Sequence, residues 1–327
     1  MPDHRLTRRC LLGAAIAPWI VPAASHAQAG FPDRPLHLIV PFPAGSISDV
    51  QARPLAQKLA DSLGQPVIVD NRPGATGTLA VDAAAKAPPD GHTLVLAAIA
   101  ALSILPHLMK LPFDPLRDLA PITKVTVGPM LLVAYSGASF DSVRQLVEHS
   151  RARPGQVKVA GFGVGSIGHL ATLMIASATG ADLTHVPYQG GPQQVTDTIG
   201  GQVPLLLDFP AVIAQHVKAG KLKALAVTGA QRYTSMPDLP TFEELGYQGV
   251  LATAWQGVLV PAATPAPVQR RLSQELMKAL ASSDLRDLYA SQGAQIGGDT
   301  PEAFGKFIRD EYERWGKLIR EHGVRLG

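Results

Sequence analysis

From residue 36 onward the chain alternates short β-branched or leucine-rich runs with longer amphipathic stretches, and this alternation restricts the fold more than any other feature. Leu36-His37-Leu38-Ile39-Val40 reads as a buried strand. A turn from Pro43 to Ser46 follows, then a helix to about Leu63 in which Leu55, Leu59 and Leu63 recur along one face. Pro54 falls inside that helix and predicts a kink or a late start, because its ring meets the carbonyl of Val50. Val67-Ile68-Val69, closed by the turn residues Asn71-Arg72-Pro73-Gly74, and Leu94-Val95-Leu96 are the next strands. The rhythm restarts after about residue 125, with strands at Val157-Lys158-Val159, residues 184–187, Leu205-Leu206-Leu207, Ala224-Leu225-Ala226-Val227 and Val258-Leu259-Val260. Two long helical patterns, 268–282 and 302–322, finish the chain. Alternation of this kind buries mainly parallel sheets between helices, so the expected class is α/β with two lobes. A crossing near residue 126 and a return near 253 divide it into residues 28–125 plus 254–327 and residues 126–253.

The first 27 residues follow a different logic. Arg5, Arg8 and Arg9 precede an apolar run from Leu11 to Ala24 that Pro18 and Pro22 interrupt, and Ser25-His26-Ala27 offers small residues to a signal peptidase. This order of basic, apolar and small residues is a secretory signal, and Thr7-Arg8-Arg9 gives it a twin-arginine character. As a membrane anchor the run is too short and too broken, since about 20 apolar residues are needed to span about 30 Å of hydrocarbon. Cleavage after Ala27 removes three arginines and one aspartate, so the net charge of +3 falls to +1. A nearly neutral mature chain has no electrostatic reason to bind nucleic acid or anionic lipid. The single cysteine, Cys10, lies in the signal, which leaves the mature chain without a disulfide, thiol nucleophile or cysteine metal ligand. The expected location is the periplasm.

Few motifs carry chemistry. Gly163-Val164-Gly165-Ser166-Ile167-Gly168 is a G-x-G-x-x-G between a strand and a helix, where a dinucleotide fingerprint would stand. An exported nicotinamide-dependent oxidoreductase using Gly163, Gly165 and Gly168 is therefore the alternative reading. The fingerprint also requires an acidic residue closing the next strand, and here that strand ends in Tyr188-Gln189. Bare N–H groups at the start of a helix form an anion site in any case. Ser166 lacks the flanking glycines of a hydrolase elbow, because Val164 occupies one of their positions. The ten histidines show no metal spacing. No catalytic set, metal or cofactor is expected. For His169 a helix-start hydrogen bond and a ligand contact both stand open. Asp49 fits a first-turn acid favoured by the helix dipole, Asp208 divides between pocket and turn, and Trp255 reads as core packing.

Several segments together resemble one family. They are Pro41-Phe42-Pro43-Ala44-Gly45, Asp70-Asn71-Arg72-Pro73-Gly74, Pro89-Asp90-Gly91, Leu111-Pro112-Phe113-Asp114-Pro115, Ala152-Arg153-Pro154-Gly155, His185-Val186-Pro187-Tyr188 and the run from Ala219 to Thr228. In order and spacing they are similar to the Bug-type, TctC-like substrate-binding proteins of tripartite tricarboxylate transporters. The resemblance implies a two-lobed, type II-like periplasmic binding fold. Such a protein closes on a small organic carboxylate, as a monomer, and delivers it to a membrane permease. It also implies binding positions: Phe42, Ala44, Gly45, Ser46, Ile47, Ser48 and Asp49 in a first-lobe loop, with Ser46 where relatives carry glycine, and Ile99 after the third strand. In the second lobe it implies Gly163, Val164, Gly165, Ser166 and His169, then Tyr188, Gly190 and Asp208. The two pinching loops contain no Lys or Arg, so an anion there rests on helix dipoles, neutral donors and water. Ile47, Ala98, Ile99, Ala101, Phe162, Val164 and Ile167 are more apolar than the family pattern, which points to a monocarboxylate with an apolar body.

Overall fold

The computed structural model describes residues 30–188 and 191–326, so the expected signal segment and Gly190 lie outside the described residues. The first sheet is seeded by β1 (Leu36–Val40), which pairs in parallel with β2 (Val67–Asn71) and β3 (Thr93–Ala98). In β1 every residue except His37 is buried, as expected for a strand covered on both faces. β4 (Leu119–Pro129), β10 (Thr253–Pro261) and the two-residue β11 (Gln295–Ile296) complete the order β11-β4-β10-β3-β1-β2. The second sheet holds β5 (Leu131–Tyr135), β6 (Val157–Phe162), β7 (Leu183–Tyr188), β8 (Leu205–Asp208) and β9 (Leu222–Val227) in the order β7-β6-β8-β5-β9.

Both sheets are mixed. β10 and β11 run against the other strands of the first, and β5 runs against the other strands of the second. The reversed strands include those on which the chain changes sheet. β4 stays in the first sheet through Pro129, because Thr126 and Val127 pair with both β10 and β11. The first crossing is therefore at Met130, a few residues later than the sequence pattern suggests. The return runs through residues 228–252 to β10. Thr228 binds the two crossings together: its N–H donates to the Met130 carbonyl at 3.0 Å, its hydroxyl donates to Ala252 O at 2.6 Å, and it accepts from Met130 N at 2.9 Å.

The helices are α1 (Ile47–Leu63) and α2 (Thr78–Ala85) in the first lobe, and α3 (Val143–Ala152), α4 (Ile167–Thr179), α5 (Gly191–Ile199) and α6 (Pro210–Lys218) in the second. α7 (Ala266–Leu280), α8 (Ser283–Ser291) and α9 (Pro301–Glu321) return to the first. α1 begins at Ile47 despite Pro54, so the expected late start does not occur. Its cap at Ser46 and its buried Ala52, Leu55, Ala56 and Leu59, packed towards β2 and α7, offset the bond that the proline removes. A single apolar cluster joins residues of both sheets, among them Val95, Leu132, Val159, Leu207 and Trp255. Trp255 is buried edge-on against Phe304, and its Nε1 donates to Glu311 at 3.1 Å.

Candidate ligand-binding cleft

Two loops, one from each lobe, have the same construction. Before α1, Gly45 takes a φ of +79°, Ser46 is extended, and the Ser46 hydroxyl accepts from Asp49 N at 3.3 Å. Before α4, Gly165 takes a φ of +78°, Ser166 is extended, and the Ser166 hydroxyl accepts from His169 N at 3.2 Å. In each loop the fourth residue reaches back to the glycine: Gly45 N donates to Asp49 Oδ2 at 2.9 Å and Gly165 N to His169 Nδ1 at 3.2 Å. A helix start satisfied in this way holds the loop while the N–H groups of its first residues, Ile47 and Ser48 or Ile167 and Gly168, have no acceptor within the helix.

Both helix starts border one cavity of about 580 Å³. From the first lobe come Phe42, Ile47, Ser48, Gln51 and Ile99; from the second, the loop 162–167, Tyr188 and Phe209. The crossing strands contribute Thr126, Trp255 and Gln256. Among the described residues that line it, none carries a charge. Of the positions expected to bind ligand, Phe42, Ile47, Ser48, Ile99, Gly163, Val164, Gly165, Ser166 and Tyr188 line this cavity. Ala44, Gly45, Ser46, Asp49, His169 and Asp208 are not in its wall; the side chains of Ser46, Asp49, His169 and Asp208 accept from neighbouring backbone N–H groups instead, that of Gly45 among them. Of the seven apolar departures, only Ala101 is absent from the wall, because it turns into the core within the wide helical turn Ala100–Ile104.

Electrostatics differ between the two loops. Asp49 is buried, and the guanidinium of Arg53 holds its carboxyl down at about 2, helped by Gly45 N–H and Asn71 and opposed by burial. The rings of His169 and His185 pack at a tilt of 34° with centroids 4.7 Å apart, and burial keeps both below the usual imidazole range, His185 at about 4. Their partners assign the protons. His169 Nδ1 accepts from Gly165 N–H, whereas His185 Nε2 donates to the Phe162 carbonyl at 2.9 Å. Two neutral imidazoles thus support the glycine loop from beneath. The Ser166 hydroxyl proton is engaged by Phe162 O at 3.0 Å, so its side chain acts on the loop itself. Burial raises the Tyr188 phenol, which donates to Asp197 at 2.9 Å. Asp208 is fully buried at the end of β8, accepts from Phe209 N and Gln194 Nε2, and is pushed up by burial to about 6.

Sequence reasoning missed a group of amides. Gln51, Gln256 and Gln292 line the cavity beside Thr126. Gln51 was within reach of the pattern, one turn along α1 from Ile47 and Ser48 on the same face. Gln256 and Gln292 join it only because β10 and the end of α8 come alongside α1.

The comparisons with known proteins agree with this geometry. Residues 51–324 match the model of the tripartite tricarboxylate transporter family receptor. Protein BugT of Bordetella pertussis is 38% identical over 309 residues, covering 93% of this chain and 94% of its own. Among solved structures, R. palustris Rpa4515 with adipate superposes with a TM-score of 0.78 at 30% identity, covering 90% of this chain and 99% of that one. MatC from Rhodopseudomonas palustris with bound malate gives 0.75 at 30% identity, covering 88% and 100%. With two mixed-sheet lobes around one cleft, the chain belongs to the Bug-type receptors of the tripartite tricarboxylate transporter family, which are periplasmic solute-binding proteins.

Proposed function

We propose that this protein, exported and freed of residues 1–27, captures a small monocarboxylate with an apolar body in the periplasm. It passes the ligand unchanged to the permease of a tripartite transporter, working as a monomer without a cofactor. The observation that carries the reading is the cavity of about 580 Å³ bordered by two helix starts and, among the described residues, lined by no charged side chain. Its size suits a small organic molecule. Helix starts at its border favour one carboxylate. The apolar wall contributes roughly 0.8 kcal/mol per buried methylene, while a second carboxylate left unpaired there costs several kcal/mol. Adipate and malate, the ligands of the two R. palustris relatives, each carry two carboxylates; the uncharged wall is what argues for one here. Residues 32–129 with 253–326 form one moving body and 130–252 the other, hinged where Thr228 joins the crossings.

Titration calorimetry against valerate, caproate and benzoate on one side, and citrate and malate on the other, tests this. Monocarboxylates are expected to bind more tightly, with a smaller radius of gyration by small-angle scattering at saturation as the lobes close. Tight citrate binding with no response to the monocarboxylates would overturn the reading.

A further inference from the structure

The amide group at the first-lobe side of the cavity forms a directed network. Gln51 is buried and its backbone carbonyl accepts from the buried Tyr289 hydroxyl at 2.9 Å, which holds the residue in place. Gln51 Nε2 donates to Gln292 Oε1 at 3.0 Å, and Gln51 Oε1 accepts from Gln256 Nε2 at 3.2 Å and Thr126 Oγ1 at 3.3 Å. Both lone pairs of that oxygen are engaged, so the Gln256 amide is oriented with its nitrogen towards Gln51. Its own oxygen is then left over: Gln256 Oε1 is buried with no hydrogen-bond partner among the described residues. A buried carbonyl without a donor is costly, and here it belongs to a side chain in the wall of a ligand cavity.

The two helix starts differ in a way that orients the ligand. α1 carries Asp49 in its first turn, whereas α4 has no acidic residue there. A carboxylate is better placed against α4, so the other end of the molecule faces the first lobe and its glutamines. Building on the monocarboxylate reading, we propose that Gln51, Gln256 and Gln292 recognise a neutral hydrogen-bond donor, a hydroxyl or a primary amide, at the end of the ligand opposite its carboxylate. Terminal amide torsions are broad, so a small rotation of Gln256 brings Oε1 to such a donor while Nε2 keeps its bond to Gln51. A terminal methyl leaves the oxygen unmet, and a terminal carboxylate sets an anion against it.

Titration calorimetry on protein purified from the periplasm, wild type and Gln256→Met, tests the assignment with three end groups on matched chains. They are valerate and caproate, ω-hydroxyvalerate and ω-hydroxycaproate, and glutarate and adipate. The hydroxy acids are expected to bind the wild type about tenfold more tightly than the plain acids or the diacids, a difference of about 1.4 kcal/mol. Gln256→Met should abolish that preference while still binding the plain acids. If the variant does not fold, Gln292→Met replaces it, and the wild-type ranking is decisive by itself. Plain acids binding as well as hydroxy acids, or diacids binding best, would overturn the inference and leave capture of a carboxylate standing. Failure of every acid to bind would overturn both.

Discussion

Replacing Asp208 by asparagine isolates the energetic consequence of a carboxylate buried beside the cleft. Asp208 has no exposed surface, and burial raises it from 3.8 to about 6 against the opposing bonds from Phe209 N and Gln194. At about 1.36 kcal/mol per pKa unit the displacement corresponds to about 3 kcal/mol. Its folded-state value lies above the unfolded one, so between pH 3.8 and about 6 the native protein holds a proton that the unfolded chain has lost. The contribution is fully present below 3.8 and is lost as pH rises through 6. Asparagine has no such charge to bury. It can accept from Phe209 N as before, and Gln194 can turn its Oε1, which has no hydrogen-bond partner among the described residues, towards the new amide. Asp208→Asn should therefore gain about 2–3 kcal/mol relative to wild type between pH 4 and pH 7. Urea denaturation of both proteins across that range measures the difference. A stability difference that does not change with pH would refute the reasoning, because it would mean that Asp208 titrates alike in the folded and unfolded chains.

Two further outcomes follow from the second-lobe loop. His185 is lowered from 6.5 to about 4, so its contribution is present above 6.5 and fades as pH falls towards 4. In His185→Gln, which can still donate to Phe162 O, this acid loss should shrink by about 1 kcal/mol after allowance for the partly exposed ring, and an unchanged acid limb in urea denaturation would refute it. Gly165→Ala adds a left-handed alanine costing about 1–2 kcal/mol, with its Cβ 2.8 Å from Leu108 Cδ1 and 3.0 Å from Leu326 Cδ2. Calorimetry should show monocarboxylate affinity reduced about tenfold, and unaltered affinity would mean that the loop does not need this backbone to hold ligand.

What the sequence made legible were the elements with local causes. β1 and the end of α1 at Gly64 follow from an uninterrupted apolar run and a left-handed glycine. The loops before α1 and α4 were legible as helix starts through Ser46 and Ser166. Strand β4 was not, because Pro121, Thr123, Lys124 and Thr126 break the apolar pattern; its pairing is supplied by β10, more than 120 residues away in the chain. The same distance hid the glutamines. Nothing near Gln256 or Gln292 in sequence marks them, since their role arises only from the packing that sets both against Gln51.

The two capped loops match in backbone but not in charge, and that difference bears on how the cleft works. Asp49 already places a negative charge at the start of α1, and it is held there by the half-exposed Arg53. The dipole of α1 is therefore partly satisfied before any ligand arrives. In the second lobe the residue at the same place is His169, kept neutral by burial and by the Gly165 N–H that it accepts. The start of α4 retains its full attraction for an anion, and its loop keeps the bond from Gly165 N–H only while Nδ1 of His169 stays unprotonated. A carboxylate that settles on α4 then presents its apolar body to Ile99, Phe162 and Ile167, which line the cavity between the lobes. Under the proposed function the first-lobe loop, through Phe42 and Ile47 in the cavity wall, would close over that body, so that the second lobe supplies the charge recognition and the first the cover and the amide end.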